Sequence, residues 1–384
     1  MRIIHTCLRY PPATGGVETY VKQLVERTRN ISAHRDVRVL TSAMRTHGPV
    51  TTLNPELLLD DPPYIQRLFT GTTPFVSYPK LQALPYYLKH HQPDIIHAHS
   101  FWYQPADTAS RYAKKHHIPF VFNPFFYTNK IRHKPLWRLY AGTIGKKTFA
   151  NADAVIVISP YEQKLIEKNN FPVKRFVLIP PGVTVNQSTP ANENPFAARS
   201  ISGRILLSIG RISAAKGYQD MILALPEIIK KHPDVMYVII GDDFGVKKTL
   251  LKLAGAQGVD RHVKFIGHLT DREILAAYRH ADVFVHPSFY EAFGIVIAEA
   301  SAAGLAVVAR NVAAIPYVAP HNQSSLLFND KNQLTRALDG LLRNKALSTR
   351  LGKNGQAYVR QNFSWEKSIK KLVDLYQELV PTNQ

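Results

Sequence analysis

One stretch of the sequence, from Val283 to Gly304, constrains the fold more than any other. Val283 to His286 has the apolar character of a buried strand, and Ile295 to Ala303 that of a short apolar helix, which Gly304 would terminate. The turn between them contains Gly294. A helix beginning there points its free backbone N–H groups and the positive end of its dipole out of the turn. The pattern therefore predicts a binding site for an anion such as a phosphate.

Two carboxylates accompany this predicted anion site. Glu291 precedes the helix, and Glu299 lies about one turn inside it. Because a carboxylate repels a phosphate, we expect each glutamate to bind neutral hydroxyl groups of the ligand that carries the phosphate. A sugar nucleotide offers phosphates and hydroxyl groups in one molecule.

The length of 384 residues predicts two domains. We place an N-terminal domain at residues 1–185 and a second at residues 203–364, with a polar, proline-bearing linker at 186–202. Residues 365–384 contain a helical run whose apolar face is predicted to pack on the first domain. Short apolar strands alternate with helical segments, which predicts an α/β fold with parallel sheets. Residues 42–75 lack periodicity and are predicted to be irregular.

The N-terminal domain begins with a strand, a glycine-containing loop and a helix. Gly15 and Gly16 let the backbone approach a phosphate closely, although a plain tight turn explains the pair as well. Two later strands end in His97-Ala-His99 and in Asn123, and the carboxyl ends of parallel strands are where ligands collect. We interpret His97 as a hydrogen-bonded, partly buried residue. For His99 a structural role and a ligand-binding role both stay open.

Two cations follow the first strand of the second domain. Arg211 and Lys216 come after Gly210, and Gly217 precedes a helix. An arginine can bind a diphosphate through two nitrogens, and a lysine acts as a point charge. A solvated turn would explain one such cation, but two of them at a strand end favour phosphate binding. The pair Asp242-Asp243 is weak evidence for a metal ion and is interpreted as part of a solvated loop.

The formal net charge is +20, and most of the excess lies in residues 1–185. Such a charge attracts polyanions, which include nucleic acid, an anionic membrane surface and a phosphorylated acceptor. Residues 130–138 combine Lys and Arg with a tryptophan, which suits a membrane surface or a lipid phosphate as well as a solvated helix face. No nucleic-acid recognition motif is present, so we expect no nucleic-acid partner.

The sequence contains no apolar run long enough to span a membrane and no apolar core of a signal peptide. A single cysteine, Cys7, excludes an intramolecular disulfide bond. We therefore expect a cytoplasmic protein, with peripheral attachment to the cytoplasmic membrane face as an additional expectation.

Three motifs together resemble those of the retaining GT-B glycosyltransferases of the glycogen-synthase-like and mannosyltransferase-like family, known as family 4. They are Gly15-Gly16-Val-Glu18, Gly210-Arg211 with Lys216-Gly217, and Glu291-Ala-Phe-Gly294 through Glu299-Ala300. The two glutamates match the E-x7-E signature of that family. Ile179 to Val183 is similar to its interdomain I-P-N-G-V segment, with Pro181 in place of Asn.

This resemblance implies a GT-B fold, in which two Rossmann-like domains face a central cleft and the C-terminal helix crosses back to the N-terminal domain. It implies a UDP- or GDP-sugar donor, a glycan or lipid-linked acceptor, and no cofactor or metal ion. The implied catalytic residues are Glu291, Arg211, Lys216 and His99. The implied donor-binding residues are Gly15, Gly16, Gly210, Asn123, Phe293, Gly294, Ile295 and Glu299.

The resemblance also implies roles. Arg211 and Lys216 would neutralise the leaving diphosphate, Glu299 would hold ribose hydroxyls, and Glu291 would contact sugar hydroxyls near the anomeric carbon. Fixed cations and a helix end lower the barrier by stabilising negative charge on the leaving group. With retention and no well-placed nucleophile, we expect front-face attack by the acceptor hydroxyl, whose proton passes to the departing phosphate.

Two positions depart from the family pattern. Asn123-Pro-Phe-Phe126 stands where family members commonly have a sugar-contacting histidine, and Ile315-Pro-Tyr317 stands where many have I-P-E. Two alternatives stay open. One is a sugar-nucleotide-binding subunit of a membrane glycan-assembly complex that has lost catalysis, and the other is a nucleotide-sugar 2-epimerase on the same architecture.

Overall fold

A computed structural model describes residues 1–13, 15–31, 36–44, 60–71, 78–128, 135–183 and 194–380. The chain forms two compact units, one made of Met1–Pro180 with Glu366–Gln384 and the other of Pro181–Trp365. Of the predicted linker, residues 186–193 lie outside the described part of the chain, and Ala197–Arg199 forms a 3₁₀ turn in the second unit.

The first unit is built on a parallel sheet of seven strands. In chain order the strands of this unit are β1 (Arg2–Thr6), β2 (Asp36–Ser42), β3 (Ile65–Leu68), β4 (Thr70–Gly71), β5 (Lys80–Leu81), β6 (Ile95–His99), β7 (Phe120–Asn123), β8 (Ala154–Val157) and β9 (Phe176–Leu178). The short strands β4 and β5 pair with each other in an antiparallel ribbon. The main sheet has the order β3-β2-β1-β6-β7-β8-β9, so the order reverses between β1 and β6.

The prediction that residues 42–75 are irregular is wrong at the short strand β4 and at β3. This strand pairs in parallel with β2, beginning with Ile65 opposite Val39. Four residues are too few to show a periodic pattern, and a strand at the edge of a sheet takes its conformation from its neighbour. Residues 45–59 and 72–77 of the same segment lie outside the described part of the chain.

Helices cover the faces of this first sheet. They are α1 (Gly16–Ile31), α2 (Leu84–His91), α3 (Gln104–His116), α4 (Pro135–Tyr140), α5 (Lys146–Asn151) and α6 (Pro160–Lys168), and a π-helical turn (Ala141–Gly145) joins α4 to α5. Strand residues such as Ile96 and Phe122 are fully buried, and they pack in one cluster with helix residues such as Leu88, Ala109 and Phe149. The unit is therefore held by apolar strand faces buried under amphipathic helices.

The second unit repeats this architecture with six parallel strands. They are β10 (Arg204–Ile209), β11 (Val235–Ile240), β12 (Val263–Phe265), β13 (Val283–His286), β14 (Ala306–Arg310) and β15 (Ser325–Phe328). Its helices are α7 (Tyr218–Lys231), α8 (Lys247–Ala256), α9 (Asp271–His280), α10 (Ile295–Ala302), α11 (Ile315–Val318), α12 (Lys331–Arg343) and α13 (Lys345–Asn362). The strand order is β12-β11-β10-β13-β14-β15, so here the order reverses between β10 and β13.

Local sequence signals set several helix ends in this unit. The Thr270 side chain accepts the N–H of Glu273 while the Glu273 carboxylate accepts the N–H of Thr270, a capping box that starts α9. The predicted apolar helix after Gly294 is confirmed as α10, and Gly304 follows it with φ +80°. The strand, turn and helix of the opening stretch are therefore present as predicted.

The last helix, α14 (Trp365–Leu379), belongs almost entirely to the first unit. Its predicted apolar face is buried, including Ile369, Leu372 and Tyr376. The Ser368 hydroxyl donates to the carbonyl of Pro180 at 2.7 Å. The predicted return of the C-terminal helix to the N-terminal domain is thus confirmed. None of the described helices combines the length and the apolar character that crossing a lipid bilayer requires.

Candidate functional site

The second sheet brings several predicted site residues to the carboxyl ends of two neighbouring strands. Strand β10 is followed by Gly210 and Arg211, and strand β13 ends at His286. These strands are direct neighbours, and the sheet order reverses between them. In open α/β sheets such a reversal leaves a crevice beyond the strand ends, where ligands bind. The topology therefore places a candidate site at the turns after β10 and β13.

Lys216, Glu291 and His286 form a compact polar cluster at these turns. Lys216 Nζ lies 2.5 Å, and His286 Nε2 lies 2.9 Å, from the same oxygen, Oε1, of Glu291. The side chains of Lys216, Glu291 and His286 are 18%, 15% and 4% exposed. Burial by itself would raise the pKa of Glu291, but Lys216 and His286 outweigh burial and lower this pKa to about 2. Glu291 is therefore ionised at neutral pH.

His286 is neutral, whereas a histidine on the surface is protonated in mild acid. Burial lowers the pKa of His286, and Lys216 lowers it further, although Glu291 acts in the other direction. A neutral imidazole beside a carboxylate carries its proton on the nitrogen that faces the carboxylate. His286 is thus assigned as the Nε2–H form that donates to Glu291, which fixes the carboxylate in place.

The cluster joins two residues to which the sequence assigned separate roles, since Lys216 was predicted to face the diphosphate and Glu291 the sugar. A lysine ammonium has three N–H donors, and the contact with Glu291 uses one of them. Among the described residues, Oε2 of Glu291 has no hydrogen-bond partner. A ligand can therefore meet both a cation and a carboxylate oxygen at the same point.

The turn that carries Lys216 depends on a glycine. Gly217 has φ +69°, and a Cβ at this position would lie 2.1 Å from the carbonyl oxygen of Pro287. This close approach holds the turn after β10 against the turn after β13. The Phe289 N–H donates to the carbonyl of Ala215 at 2.9 Å across the same junction.

Arg211 is the second predicted cation, and its side chain is exposed. Its guanidinium carbon lies 5.5 Å from the centre of the Phe244 ring. Among the described residues Arg211 forms no ion pair with a carboxylate, in contrast to Lys216. The preceding Gly210 has φ +146°, and its carbonyl accepts the Tyr218 hydroxyl at 3.0 Å. Arg211 is therefore a cation available to an anionic ligand.

The amino end of α10 supplies a further positive group. Gly294 has φ +96° and is the N-cap, and the Ile297 N–H donates to its carbonyl at 2.9 Å. The Ile295 N–H belongs to the first turn, whose donors have no acceptor within the helix. Phe293 is 2% exposed and anchors the turn, with its ring centre 5.1 Å from that of Phe363.

Glu299 lies on α10 and differs from Glu291 in its charge state. Its Oε2 accepts the hydroxyl of Tyr278 at 3.0 Å. Burial raises the pKa of Glu299 to about 7, and the hydrogen bond from Tyr278 only partly opposes this effect. The two glutamates of the E-x7-E signature therefore have distinct chemistry, because Glu291 is ionised and Glu299 titrates near neutral pH.

In the first unit, Gly15 and Gly16 lie at the start of α1. A Cβ on Gly15 would lie 2.2 Å from a carboxylate oxygen of Glu18, so a side chain there would displace Glu18. The other oxygen of Glu18 accepts from the Arg9 guanidinium at 2.8 Å, and both side chains are largely buried. A side chain at position 15 would therefore disturb the ion pair between Glu18 and Arg9.

His99 and Asn123 end the neighbouring strands β6 and β7, and both are fully buried. His99 Nε2 is hydrogen-bonded to His5 Nδ1 at 2.9 Å, and the Asn123 amide donates to the carbonyl of Ile156 at 3.0 Å. The Phe125 ring stacks beside His99 with centres 6.3 Å apart, and Phe125 has φ +46°. In this conformation neither His99 nor Asn123 presents its side chain to solvent.

The predicted residues thus form two groups, one in each unit. The structure joins Lys216, in the turn after β10, to Glu291, in the turn after β13, and it leaves Arg211, in the same turn as Lys216, exposed. Sequence reasoning missed the partners His286 and Tyr278. His286 could have been found from its position five residues before Glu291 at a strand end, whereas no local pattern connects Tyr278 on α9 to α10.

Two family models match the chain. The model described as Glycosyltransferase Family 4 matches residues 14–187, and the model described as Glycosyl transferases group 1 matches residues 193–358. The two matches cover most of both units and include every predicted site residue.

Curated relatives agree with these matches. The chain is 31% identical to a D-inositol 3-phosphate glycosyltransferase of Corynebacterium jeikeium over 251 residues, which are 60% of this chain and 58% of that protein. It is 28% identical to a glycogen synthase of Mycobacterium tuberculosis over 301 residues, which are 74% of this chain and 69% of that protein. The match therefore spans less than two thirds of the inositol phosphate glycosyltransferase.

Solved structures share the whole fold. A sucrose-phosphate synthase from Thermosynechococcus elongatus has a TM-score of 0.77 at 23% identity, with 98% of both chains covered. Anabaena HepE in complex with UDP and glucose has a TM-score of 0.79 at 18% identity, with 98% of this chain and 100% of that chain covered. With two parallel-sheet units, the E-x7-E residues at a strand-order reversal and both family models matched, the chain belongs to the family 4 glycosyltransferases of the GT-B fold.

Proposed function

We propose that this protein transfers a hexose-type sugar from a nucleoside diphosphate sugar to an acceptor hydroxyl, with retention of the anomeric configuration. The observation that carries the proposal is the cluster of Lys216, Glu291 and His286 beside the amino end of α10. The cluster offers a cation for a phosphate and an ionised carboxylate for hydroxyl groups within one site.

Each residue has a role in this proposal. Arg211, Lys216 and the first N–H groups of α10 neutralise the diphosphate. Glu299 accepts from ribose hydroxyls, and Glu291 binds hydroxyls of the transferred sugar. In the first unit, the proposed role of Gly15 and Gly16 is to let the backbone approach a phosphate closely. We assign His99 and Asn123, which are fully buried, to the support of the Phe125 loop rather than to direct contact with the sugar.

The proposed reaction is a front-face substitution. The bond between the anomeric carbon and the diphosphate oxygen breaks, and the acceptor oxygen forms a bond to the same face of that carbon. The acceptor proton passes to the departing phosphate oxygen. The cations stabilise the negative charge on the leaving group, so the step needs no metal ion in this proposal. Ionised Glu291 stabilises the positive charge that develops on the sugar.

The first donor to test is UDP-glucose, because a structural relative, Anabaena HepE, is described in complex with UDP-glucose. GDP-mannose is the matched alternative. Nucleotide release and the anomeric configuration of the product are measured by chromatography and proton NMR. An inverted product overturns the front-face mechanism. Donor binding with no transfer and no hydrolysis supports the non-catalytic subunit instead, and donor conversion without an acceptor supports the 2-epimerase.

Substitutions test the roles of the two cations. Lys216→Ala is expected to lower kcat/KM by roughly 100-fold or more, because it removes a fixed charge from the leaving group. Lys248→Ala is the matched control, since Lys248 is an exposed lysine on α8 of the same unit. Equal activity of the two variants would count against the proposed site.

We also propose that the acceptor is lipid-linked and that the first unit docks on an anionic membrane surface. The helical segment from α4 to α5 exposes Leu136, Leu139 and Ile144 to 41%, 63% and 38%, while Trp137 is buried on its inner side. Arg138, Lys146 and Lys147 are exposed on the same segment. Apolar side chains beside cations suit the interface of an anionic bilayer. Residues 130–134 of the basic stretch lie outside the described part of the chain.

Liposome flotation tests the docking surface. Binding to vesicles with anionic lipid is expected to exceed binding to neutral vesicles and to fall with salt. Leu139→Ser should weaken vesicle binding by about tenfold, as expected for the loss of one leucine that becomes buried in the bilayer interface on docking. Leu251→Ser, at a leucine that is 44% exposed on α8, is the control and should bind as the wild type does. Equal binding to neutral and anionic vesicles would overturn the assignment.

A further inference from the structure

Arg310 lies at the end of β14, beside the turn that carries Glu291. In the parallel register Ala309 is opposite His286, the last residue of β13. Arg310 therefore stands next to Pro287, the first residue of that turn. The Arg310 side chain is only 11% exposed, and an arginine is rarely so buried unless it is paired. The proposed transfer reaction does not use this buried cation.

The guanidinium group of Arg310 joins two segments of the second unit. Its Nε donates to the carbonyl of Pro287 at 3.1 Å, where the turn after β13 begins. Its Nη2 donates to the carboxylate of Asp220, which lies in the first turn of α7. A guanidinium presents its N–H donors in one rigid plane, so this single side chain holds both acceptors at a fixed separation.

The two segments that Arg310 joins carry the charged residues of the candidate site. Helix α7 begins at Tyr218, directly after the turn that contains Lys216. Pro287 and Glu291 belong to the other turn, which follows β13. The contact between Lys216 Nζ and Glu291 Oε1, at 2.5 Å, therefore spans the two segments that Arg310 holds together.

Two aromatic rings lie beside the Arg310 guanidinium. Its central carbon is 4.6 Å from the centre of the Phe289 ring and 5.0 Å from that of the Phe328 ring. Phe328 is opposite Arg310 in the register of β14 and β15, whereas Phe289 belongs to the turn after β13. Because a cation is attracted to the face of an aromatic ring, Phe289 adds a second contact between Arg310 and this turn.

We infer that Arg310 is a positioning residue for the transfer reaction, because it fixes the separation between the turn of Lys216 and the turn of Glu291. The inference rests on the proposed function, in which Lys216 stabilises the leaving diphosphate and Glu291 the positive charge on the sugar. Both charges develop in the transition state, so the alignment of the two side chains matters most there. A displacement of about 1 Å at such groups costs about 100-fold in rate.

Steady-state kinetics of Arg310→Met is the first test. kcat is expected to fall by about 100-fold while KM for the donor changes by less than about threefold, because the lost alignment acts on the transition state. Asp220→Ala removes the other partner of the ion pair at a position that is 31% exposed, so it serves as the test if Arg310→Met does not fold. It is expected to lower kcat in the same way. An unchanged kcat in a folded variant, or a rise in KM alone, would overturn the inference.

Arg204→Met is the matched control. Arg204 lies at the start of β10, at the opposite edge of the same sheet. Its Nε donates to Asp234 at 2.8 Å and its Nη1 to the carbonyl of Leu342 at 3.2 Å, so it also joins a carboxylate and a backbone carbonyl. This variant is expected to lower the melting temperature and to retain the wild-type kcat. A fall in kcat equal to that of Arg310→Met would show a general effect of stability and would overturn the inference.

Crystal structures of the wild type and of Arg310→Met separate this inference from the proposed function, since they require no activity. The distance from Lys216 Nζ to Glu291 Oε1, which is 2.5 Å with Arg310 in place, is expected to lengthen by about 1 Å in the variant. An unchanged distance would overturn the inference even if the protein transfers sugar. If the wild type transfers no sugar, the proposed function fails, and the distance still decides whether Arg310 positions the two side chains.

Discussion

The ion pair between Lys216 and Glu291 gives a prediction whose magnitude follows from the structure. The pKa of Glu291 is lowered from 4.5 to about 2. A shift of one pKa unit corresponds to about 1.4 kcal/mol, so the net favourable interaction of the carboxylate is about 3 kcal/mol. Both side chains are less than one fifth exposed, so solvent screens this interaction only in part. Because His286 contributes to this shift as well as Lys216, Lys216→Met should remove part of the interaction and destabilise the second unit by up to about 3 kcal/mol, as expected for the loss of one partner of a buried pair.

The sign of the pH dependence follows from the same shift. Because the folded-state pKa of Glu291 is below its unfolded value, its contribution is fully present above about pH 4.5 and is lost as the pH falls toward 2. The effect of Lys216→Met should therefore be equal at pH 5.5 and pH 7.5.

Hydrogen–deuterium exchange with mass spectrometry can resolve this effect within one unit. Peptides from β13 in Lys216→Met should exchange up to about 150-fold faster, because every 1.4 kcal/mol is tenfold in an opening equilibrium. Peptides from β6 in the first unit should exchange as in the wild type. Lys331→Met is the matched control, because the Lys331–Glu227 pair is about half exposed and should contribute less than about 1 kcal/mol.

The double variant Lys216→Met/Glu291→Gln completes a cycle. Replacing the carboxylate removes the unpaired charge and keeps an oxygen that can accept from His286, so the double variant should be more stable than the sum of the single changes implies. Strictly additive effects, or a change below threefold in Lys216→Met, would refute the assignment of a tightly coupled pair.

Three further predictions concern other residues. Burial raises the pKa of Glu299 to about 7, so the folded state holds a proton that the unfolded chain releases, and stability should fall as the pH rises from 5 to 8; thermal unfolding of Glu299→Gln should lack this part of the dependence. Gly217→Ala should lower the melting temperature by several degrees, because its Cβ would clash with the carbonyl of Pro287 at a positive φ. Glu162 is fully buried and accepts the N–H groups of Phe126 and Ile158, so Glu162→Leu should leave both unpaired and lower the melting temperature, as calorimetry would show.

Much of the fold follows from local sequence patterns. The helix after Gly294 and the terminal helix from Trp365 were predicted within one residue at each end, because each has a continuous apolar pattern and a clear start or stop signal. Strand β3 was not predicted, since its four residues are ordered by pairing with β2. Short edge strands depend on a neighbour that is distant in sequence, and local patterns do not contain it.

The residues of the site could be predicted from the sequence, but most of the contacts between them could not. The spacing of Glu291 and Glu299 identified both carboxylates, but their different charge states depend on Lys216 and Tyr278, which are distant in sequence. The contact between His5 and His97 could not be predicted from local spacing either, because the two residues meet only through the pairing of β1 with β6. Local spacing can identify functional residues that lie on one helix or strand. The charge state and burial of a side chain depend on several helices and strands that are distant in sequence.

The interrupted first unit has a consequence for the order of folding. The chain leaves this unit at Pro180 and returns at Glu366, so the whole second unit is synthesised before the helix that completes the first. The hydrogen bond between His97 and Tyr376 spans 279 residues, and prior folding of the second unit shortens the effective loop that this contact closes. A nascent chain passes through a stage in which the second unit can be complete while the apolar surface beneath Ile369 and Leu372 is still uncovered. That stage is where this protein most needs protection from aggregation during its synthesis.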